Sequence, residues 1–354
     1  MNLYNNIYSG KTILITGNTG FKGSWLANIL IRLGGNVIGY SLPSITTPNH
    51  FEILGLDYKT YYHNINNLHK ISEVVEFHKP DIIFHLAAQP LVRESYNNPI
   101  DTYMTNVIGT ANVLESARIN ANVKAIVVVT TDKCYENIEQ NYGYVETDRM
   151  GGYDPYSSSK GCVELLTNSY RNSFFNLSSF GINHKTLIAS ARAGNVIGGG
   201  DWSNDRLIPD IIKAALNNKE VIIRNPLSTR PWQHVLEPLN GYLMLGEKLI
   251  NGQKDFADGW NFGPEEDNVL QVQEILKLSQ LNWDSITYKT ENENNNLHEA
   301  NLLSLNISKA KKYLDWKPNW DNQKAVEKTI KWYKNYYLNR TINTDEDIND
   351  FFNI

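Results

Sequence analysis

Two spacings of apolar residues alternate along this chain. Residues 11–16 (KTILIT) form a short apolar, β-branched run, and past Gly17 the apolar positions Trp25, Leu26, Ile29, Leu30 and Leu33 fall three and four apart. The first pattern predicts a strand and the second a helix, because residues at that wider spacing share one helical face. Similar runs return at residues 36–40, 82–86 and 125–130, with helical patterns between them. Repeated strand–helix units predict an α/β fold built on a doubly wound parallel sheet, with ligands at the carboxyl ends of its strands.

The later chain departs from that rhythm. A strand at 185–190 leads into Ala191, Arg192, Ala193 and a glycine-rich passage ending in GGGDW. Beyond it, residues 207–216 read as a helix, 221–224 as a short strand, and 231–235 (PWQHV) as a return toward the sheet; helical pattern resumes at 269–278 and within 306–332. The expected division is a sheet domain over 1–190, with 225–262 returning to it, and a second lobe from 191–224 and 263–340. The Asn-rich stretch 292–296 reads as a surface loop, and the acidic residues 341–354 as a mobile tail. No internal repeat is visible.

Composition narrows the class. With 354 residues and 41% hydrophobic content the chain can bury a sizeable core and exceeds one compact nucleotide-binding sheet. Its net charge of -5 leaves no basic footprint for nucleic acid. The two cysteines, Cys134 and Cys162, lack metal-ligand spacing, so neither a metal site nor a disulfide frame is expected, and a reduced, cytoplasmic setting is. No apolar run is long enough to span a membrane.

The first strand–helix turn carries the first chemistry. Gly17, Asn18, Gly20, Phe21 and Gly23 (GNTGFKG) form a glycine-rich turn between strand and helix, where the backbone can approach a pyrophosphate lying against the helix's positive end. This predicts a Rossmann-type dinucleotide site. The second strand ends at Tyr40, with neither a carboxylate for a ribose hydroxyl nor an arginine for a 2′-phosphate; the missing cation favours NAD, and Lys22 keeps NADP a minor option. Small residues at the end of the next strand, Ala87 and Ala88 after Leu86, suit close approach of a cofactor.

Residues 151–160 read GGYDPYSSSK, preceded by TTDKCY from Thr130. Tyr156 and Lys160 are four apart, so on a helix they share a face where the ammonium can lower the phenol's pKa and make it a base near neutral pH. A bare pair at that spacing is more often an ordinary surface pair. Its neighbours here decide otherwise.

Taken together, the glycine turn, HLAA, Asn106 in TNVIGT, TTDK and YSSSK resemble the extended short-chain dehydrogenases/reductases, specifically the sugar-nucleotide 4,6-dehydratase group. TDKCYEN, MGGYDPYSSSKGC, SARAGNVIGGGDW and TRPWQHVLEPL are most similar to its CDP-glucose branch, over residues 10–265. The resemblance implies an enzyme in which Tyr156, Lys160 and Thr131 serve oxidation at the sugar's C4, Asp132 acts as the acid for the departing hydroxyl, and Lys133 stands where the dTDP-glucose enzymes carry a glutamate base. It also implies an adenine contact at Asn64 and Ile65, an amide in place of the commoner aspartate, and a cofactor role for Asn106. Substrate contacts are expected from Gln89, Asn195, Arg206, Arg224, Arg230 and His234, with Arg230 favoured for the diphosphate because a guanidinium matches two phosphate oxygens. A homodimer is implied through the helix starting near Tyr156, using Val163, Leu165, Leu166 and Tyr170. An epimerase or reductase on the same scaffold, or a non-catalytic NAD-binding protein, would not need the Asp132–Lys133 pair.

Overall fold

The computed structural model describes residues 3–140, 142–223, 226–265, 270–290 and 303–354. Seven parallel strands form the central sheet: β1 (Thr12–Thr16), β2 (Asn36–Ser41), β3 (Lys59–Tyr62), β4 (Ile82–His85), β5 (Ala125–Val129), β6 (Leu187–Ala193) and β11 (Gly259–Phe262). Their order across the sheet is β3-β2-β1-β4-β5-β6-β11. The order therefore reverses at β1 and β4, where Thr16 pairs with His85, and a crevice opens at such a reversal.

The apolar runs are continuous because both faces of each inner strand are covered. Ile13, Ile15, Phe84, Val127 and Ala189 face α1 (Phe21–Arg32) and α9 (Leu236–Ile250) in the larger core; Leu14, Ile83, Ile126, Val128 and Ile188 face the smaller core of α3 (Leu68–His78), α6 (Gly109–Ile119) and α7 (Pro155–Ser173). A short helix α2 (His50–Leu54) precedes β3. Between β4 and α6 the chain forms α4 (Val92–Asn97), α5 (Pro99–Tyr103) and a π turn, Met104–Ile108. Val163 is buried against the smaller core, with Leu166 and Tyr170 packed beside it. Of the four residues expected at a dimer face, only Leu165 is exposed.

Beyond β6 the chain pairs β7 (Val196–Ile197) with β10 (Gln233–His234) in parallel. It then builds α8 (Leu207–Leu216), the pair β8 (Val221–Ile223) with β13 (Tyr288–Thr290), the pair β9 (Thr229–Arg230) with β12 (Leu270–Gln271), and α10 (Val272–Asn282). Arg224 and the Asn-rich stretch 292–296 lie outside the described residues.

The acidic C-terminus corrects the expectation of a mobile tail. It forms α12 (Thr344–Phe352), which buries Thr344, Asp347, Ile348 and Phe351. Thr344 Oγ1 accepts from Trp332 Nε1 of α11 (Asn322–Lys334) at 2.9 Å and bonds His50 Nε2 at 2.9 Å, while His50 Nδ1 meets Ser24 of α1 at 2.8 Å. Acidic composition suggested a solvated segment, but the apolar residues Ile348 and Phe351 lie three apart and share one helical face.

Candidate active site

The carboxyl ends of β1, β2, β4, β5 and β6 open into one cavity of about 1420 Å³. Its floor begins at the glycine turn. Gly17 has φ +75, and a Cβ there would come within 2.7 Å of Ala87 N, so only glycine lets the turn rest on the end of β4. A Cβ on Gly23 would sit 2.1 Å from Gly17 O, which explains how α1 can start directly against the turn with Gly20 as its cap. Gly17, Gly20, Phe21, Gly23, Leu86, Ala87 and Ala88 all line the cavity, as do Tyr40, Asn64 and Ile65 at its far end. Such a trough, closed beneath by glycines and ending on a helix N-terminus, fits a dinucleotide.

Two expected cofactor residues, Asn18 and Asn106, do not line the cavity. Asn18 turns its amide under the sheet edge, where Nδ2 donates to Tyr58 and to Thr60 Oγ1 at 3.1 and 3.0 Å. Asn106, fully buried in the π turn, donates to Gln89 O at 3.1 Å and Ser159 Oγ at 2.8 Å and accepts from Gln89 N at 2.8 Å; it braces the cavity wall to α7 rather than lining it. Asn64 lines the cavity, and its Oδ1 accepts from Asn66 N at 2.9 Å in a local turn, which leaves the oxygen's second lone pair to accept another bond. Lys22 also departs from its expected place. It interacts with Arg206, Lys160, Asp132 and Asp201, which puts it at the centre of the cavity rather than at the ribose end, and burial and the neighbouring cations push its ammonium down to about 7.

The catalytic candidates converge on the same cavity. Asp154 caps α7 by accepting from Ser157 N at 2.9 Å, and Pro155 occupies the first turn, so the helix starts one residue before Tyr156. Tyr156 and Lys160 consequently face the cavity one turn apart. Opposite, β5 ends in a 3-10 turn, Asp132–Cys134, capped by the Thr131 hydroxyl. Thr131 donates to Asp132 Oδ1 at 2.9 Å, and Lys133 Nζ lies 3.5 Å from the same oxygen. Asp132 Oδ2 is buried with no hydrogen-bond partner among the described residues.

Electrostatics correct one expectation. Burial pushes the Tyr156 phenol up to about 12 rather than toward neutral, with the Thr131 hydroxyl acting against it. Lys160 Nζ instead donates to Val129 O at 3.3 Å, and burial pulls it down to about 8 against the support of Glu164. The spacing in sequence correctly put both groups on one face. It could not show which carbonyl the ammonium would reach.

Among the substrate candidates, Gln89, Asn195, Arg206 and Arg230 line the cavity. Arg206 pairs with Asp201 at 2.8 Å. Arg230 Nη1 donates to Thr229 O at 2.8 Å. His234 does not line it: it is fully buried between Trp25 and Trp320, with ring centroids 5.8 and 4.9 Å away, and serves the core. Among the described residues no group of three or more His, Cys, Asp or Glu could hold a metal ion, and no helix is long and apolar enough to cross a membrane.

A parallel sheet of this order, with a glycine turn, tyrosine and lysine around one cavity, defines an extended short-chain dehydrogenase/reductase. The family model described as GDP-mannose 4,6 dehydratase matches residues 14–329, and the chain belongs to that family. It is 48% identical over 332 residues to the CDP-glucose 4,6-dehydratase of Salmonella typhimurium, covering 93% of this chain and 92% of that protein. It is 27% identical to the dTDP-D-glucose 4,6-dehydratase of Dictyostelium discoideum, covering 99% and 88%. Among solved structures, the dTDP-glucose 4,6-dehydratase of Bacillus anthracis in complex with NAD superposes with a TM-score of 0.74 at 22% identity, over 92% of this chain and 97% of that one, a likeness of fold.

Proposed function

We propose that this protein is an NAD-dependent sugar-nucleotide 4,6-dehydratase that converts CDP-glucose to CDP-4-keto-6-deoxyglucose and water, supplying deoxysugars for surface polysaccharide. The observation that carries the reading is that Asp132 and Lys133 share one cavity with Tyr156 and Lys160. An oxidoreductase or epimerase uses a tyrosine–lysine pair; a carboxylic acid and an amine beside it are what an elimination requires. The 48% identity to the Salmonella enzyme supports CDP-glucose as the substrate.

The C5 hydrogen of a hexose is not acidic until C4 is a ketone. Gly17, Gly20 and Gly23, with Tyr40 and Ile65, would hold NAD, which would supply a reversible hydride acceptor. Tyr156 takes the C4 hydroxyl proton, with Thr131 holding the phenolic oxygen and Lys160 supplying nearby positive charge. Lys133 then removes the C5 proton while Asp132 protonates the C6 hydroxyl, which leaves as water. Lys133 returns its proton to C5 as C6 is reduced, so no net oxidation remains. The segments beyond β6 that line the cavity hold the nucleotide, with Arg206 and Arg230 toward the diphosphate.

The test is incubation with NAD and, separately, CDP-, dTDP-, GDP- and UDP-linked sugars, followed by mass spectrometry. Loss of one water from CDP-glucose is expected. Loss only from a GDP- or UDP-linked hexose or N-acetylhexosamine would move the base assignment, and interconversion at unchanged mass would make the protein an epimerase.

The same reading places the enzyme in the cytoplasm as a homodimer. Leu165 on α7 lies exposed, and Ile100, Met104 and Ile108 make an exposed stripe, four apart, across α5 and the π turn packed on α7. Changing Ile108 and Leu165 together to Glu should halve the mass seen by light scattering at micromolar concentration. A wild-type monomer would overturn the dimer.

A further inference from the structure

Behind the catalytic residues, and outside the cavity, lies a buried ion pair. Glu164 stands one turn after Lys160 on α7, and Arg192 near the end of β6 meets it with Nη2 at 2.7 Å from Oε2; both side chains are more than nine-tenths buried. Glu164 Oε1 accepts from Thr130 Oγ1, and Oε2 also accepts from Ser190 Oγ at 2.7 Å. Arg192 Nη1 donates to Tyr135 OH at 2.7 Å and to Glu146 O at 2.9 Å, and its guanidinium lies 5.2 Å from the centre of the Tyr135 ring. Tyr135 in turn donates to Asn261 Oδ1 at 2.8 Å, and Asn261 Nδ2 donates to Tyr144 O and Asn306 O at 2.8 and 3.2 Å.

The residues gripped are telling. Thr130 immediately precedes Thr131, and Tyr135 follows the turn that carries Asp132 and Lys133. We infer that Glu164 and Arg192 are a positioning pair for the reaction, clamping residues 130–135 at both ends and setting a carboxylate one turn behind Lys160. The inference rests on the dehydratase reading for the importance of those residues. Burying an ion pair gains little over apolar packing, so a pair kept under an active site is better explained by what it orients.

The charges around Lys160 fit this role. Burial drives its ammonium down to about 8, and Glu164, then Cys134, oppose that. From other elements, His85 on β4 and Lys22 on α1 feel the Lys160 charge; both are themselves held down by burial first, and neither supplies a negative charge. Burial alone would raise the Glu164 carboxyl, but Arg192 and the hydrogen bonds hold it below the usual range, so it stays ionised.

Glu164→Gln alone leaves Arg192 buried without its counter-ion and threatens the fold. The double variant Glu164→Gln/Arg192→Met keeps the interior neutral and is the one to measure, with Glu164→Asp as the conservative control. Lys160 is titrated in the free enzyme by acetic anhydride labelling, read as the mass of its peptide across pH. In the double variant the labelling midpoint should fall by about one pH unit, as expected when a nearby opposite charge is lost. The alkaline limb of kcat/KM for dehydration should move with it, and Glu164→Asp should restore most of both. An unmoved midpoint with dehydration lowered equally at every pH would make the pair merely structural and overturn the inference. Because labelling needs no substrate, that result is distinct from failure of the dehydratase reading, which would appear as wild-type enzyme inert toward every nucleotide sugar.

Discussion

Tyr156→Phe should lower dehydration by about four orders of magnitude, the upper end of what one positioned proton acceptor contributes, while binding of the nucleotide sugar changes little. Phenylalanine fills the same volume on α7, and the backbone amide of residue 156 keeps its bond to Ser95 Oγ at 3.1 Å, so the helix start is preserved. What disappears is the phenol that lines the cavity together with Thr131, Asp132 and Lys160. Without it the C4 hydroxyl loses the acceptor placed for its proton, because Lys160 is an ammonium with no lone pair and donates to Val129 O. Reduced cofactor, followed by its absorbance in a single turnover, should not accumulate. Dehydration within tenfold of wild type would remove Tyr156 from the mechanism.

Lys133→Met separates the second half of the reaction from the first. Methionine keeps the unbranched length and loses the amine, so oxidation at C4 should proceed and reduced cofactor should appear. Removal of the C5 proton, and with it loss of water, should fall by about two orders of magnitude. In heavy water the wild-type product should carry one deuterium at C5, and the variant should return substrate or ketone without it. The competing role for Lys133 is visible in its 3.5 Å approach to Asp132 Oδ1, a contact that would need no catalytic amine. If the variant still dehydrates and exchanges at the wild-type rate, that pairing is the whole of its role and the base must be sought elsewhere.

Much of the site is legible in the sequence. Gly17 and Gly23 were readable because a strand, a sharp turn and a helix in that order need backbone where side chains cannot fit. The Tyr156–Lys160 face was readable because Asp154 and Pro155 announce a helix start, and a four-residue step then fixes the shared side. The misreadings have a common source. His234 and Asn106 carry polar groups in segments of chemical interest, but packing turned them inward, one between two tryptophans and the other onto Gln89 and Ser159. Lys22 was weighed only for the ribose end, whereas its side chain reaches the centre of the cavity.

By itself the sequence determined the sheet, the dinucleotide turn and the kind of chemistry, since alternation of apolar spacing, glycine placement and helix caps act over a few residues and are written in neighbouring letters. Only the tertiary structure decided which ionisable groups meet. The packing of α7 against β6 brings Arg192 to Glu164, and the docking of α7 beside the end of β5 sets Tyr156 in the same cavity as Asp132 and Lys133. It seats the acidic C-terminus against His50 as well. Those meetings depend on how distant surfaces pack, and no local pattern carries that information.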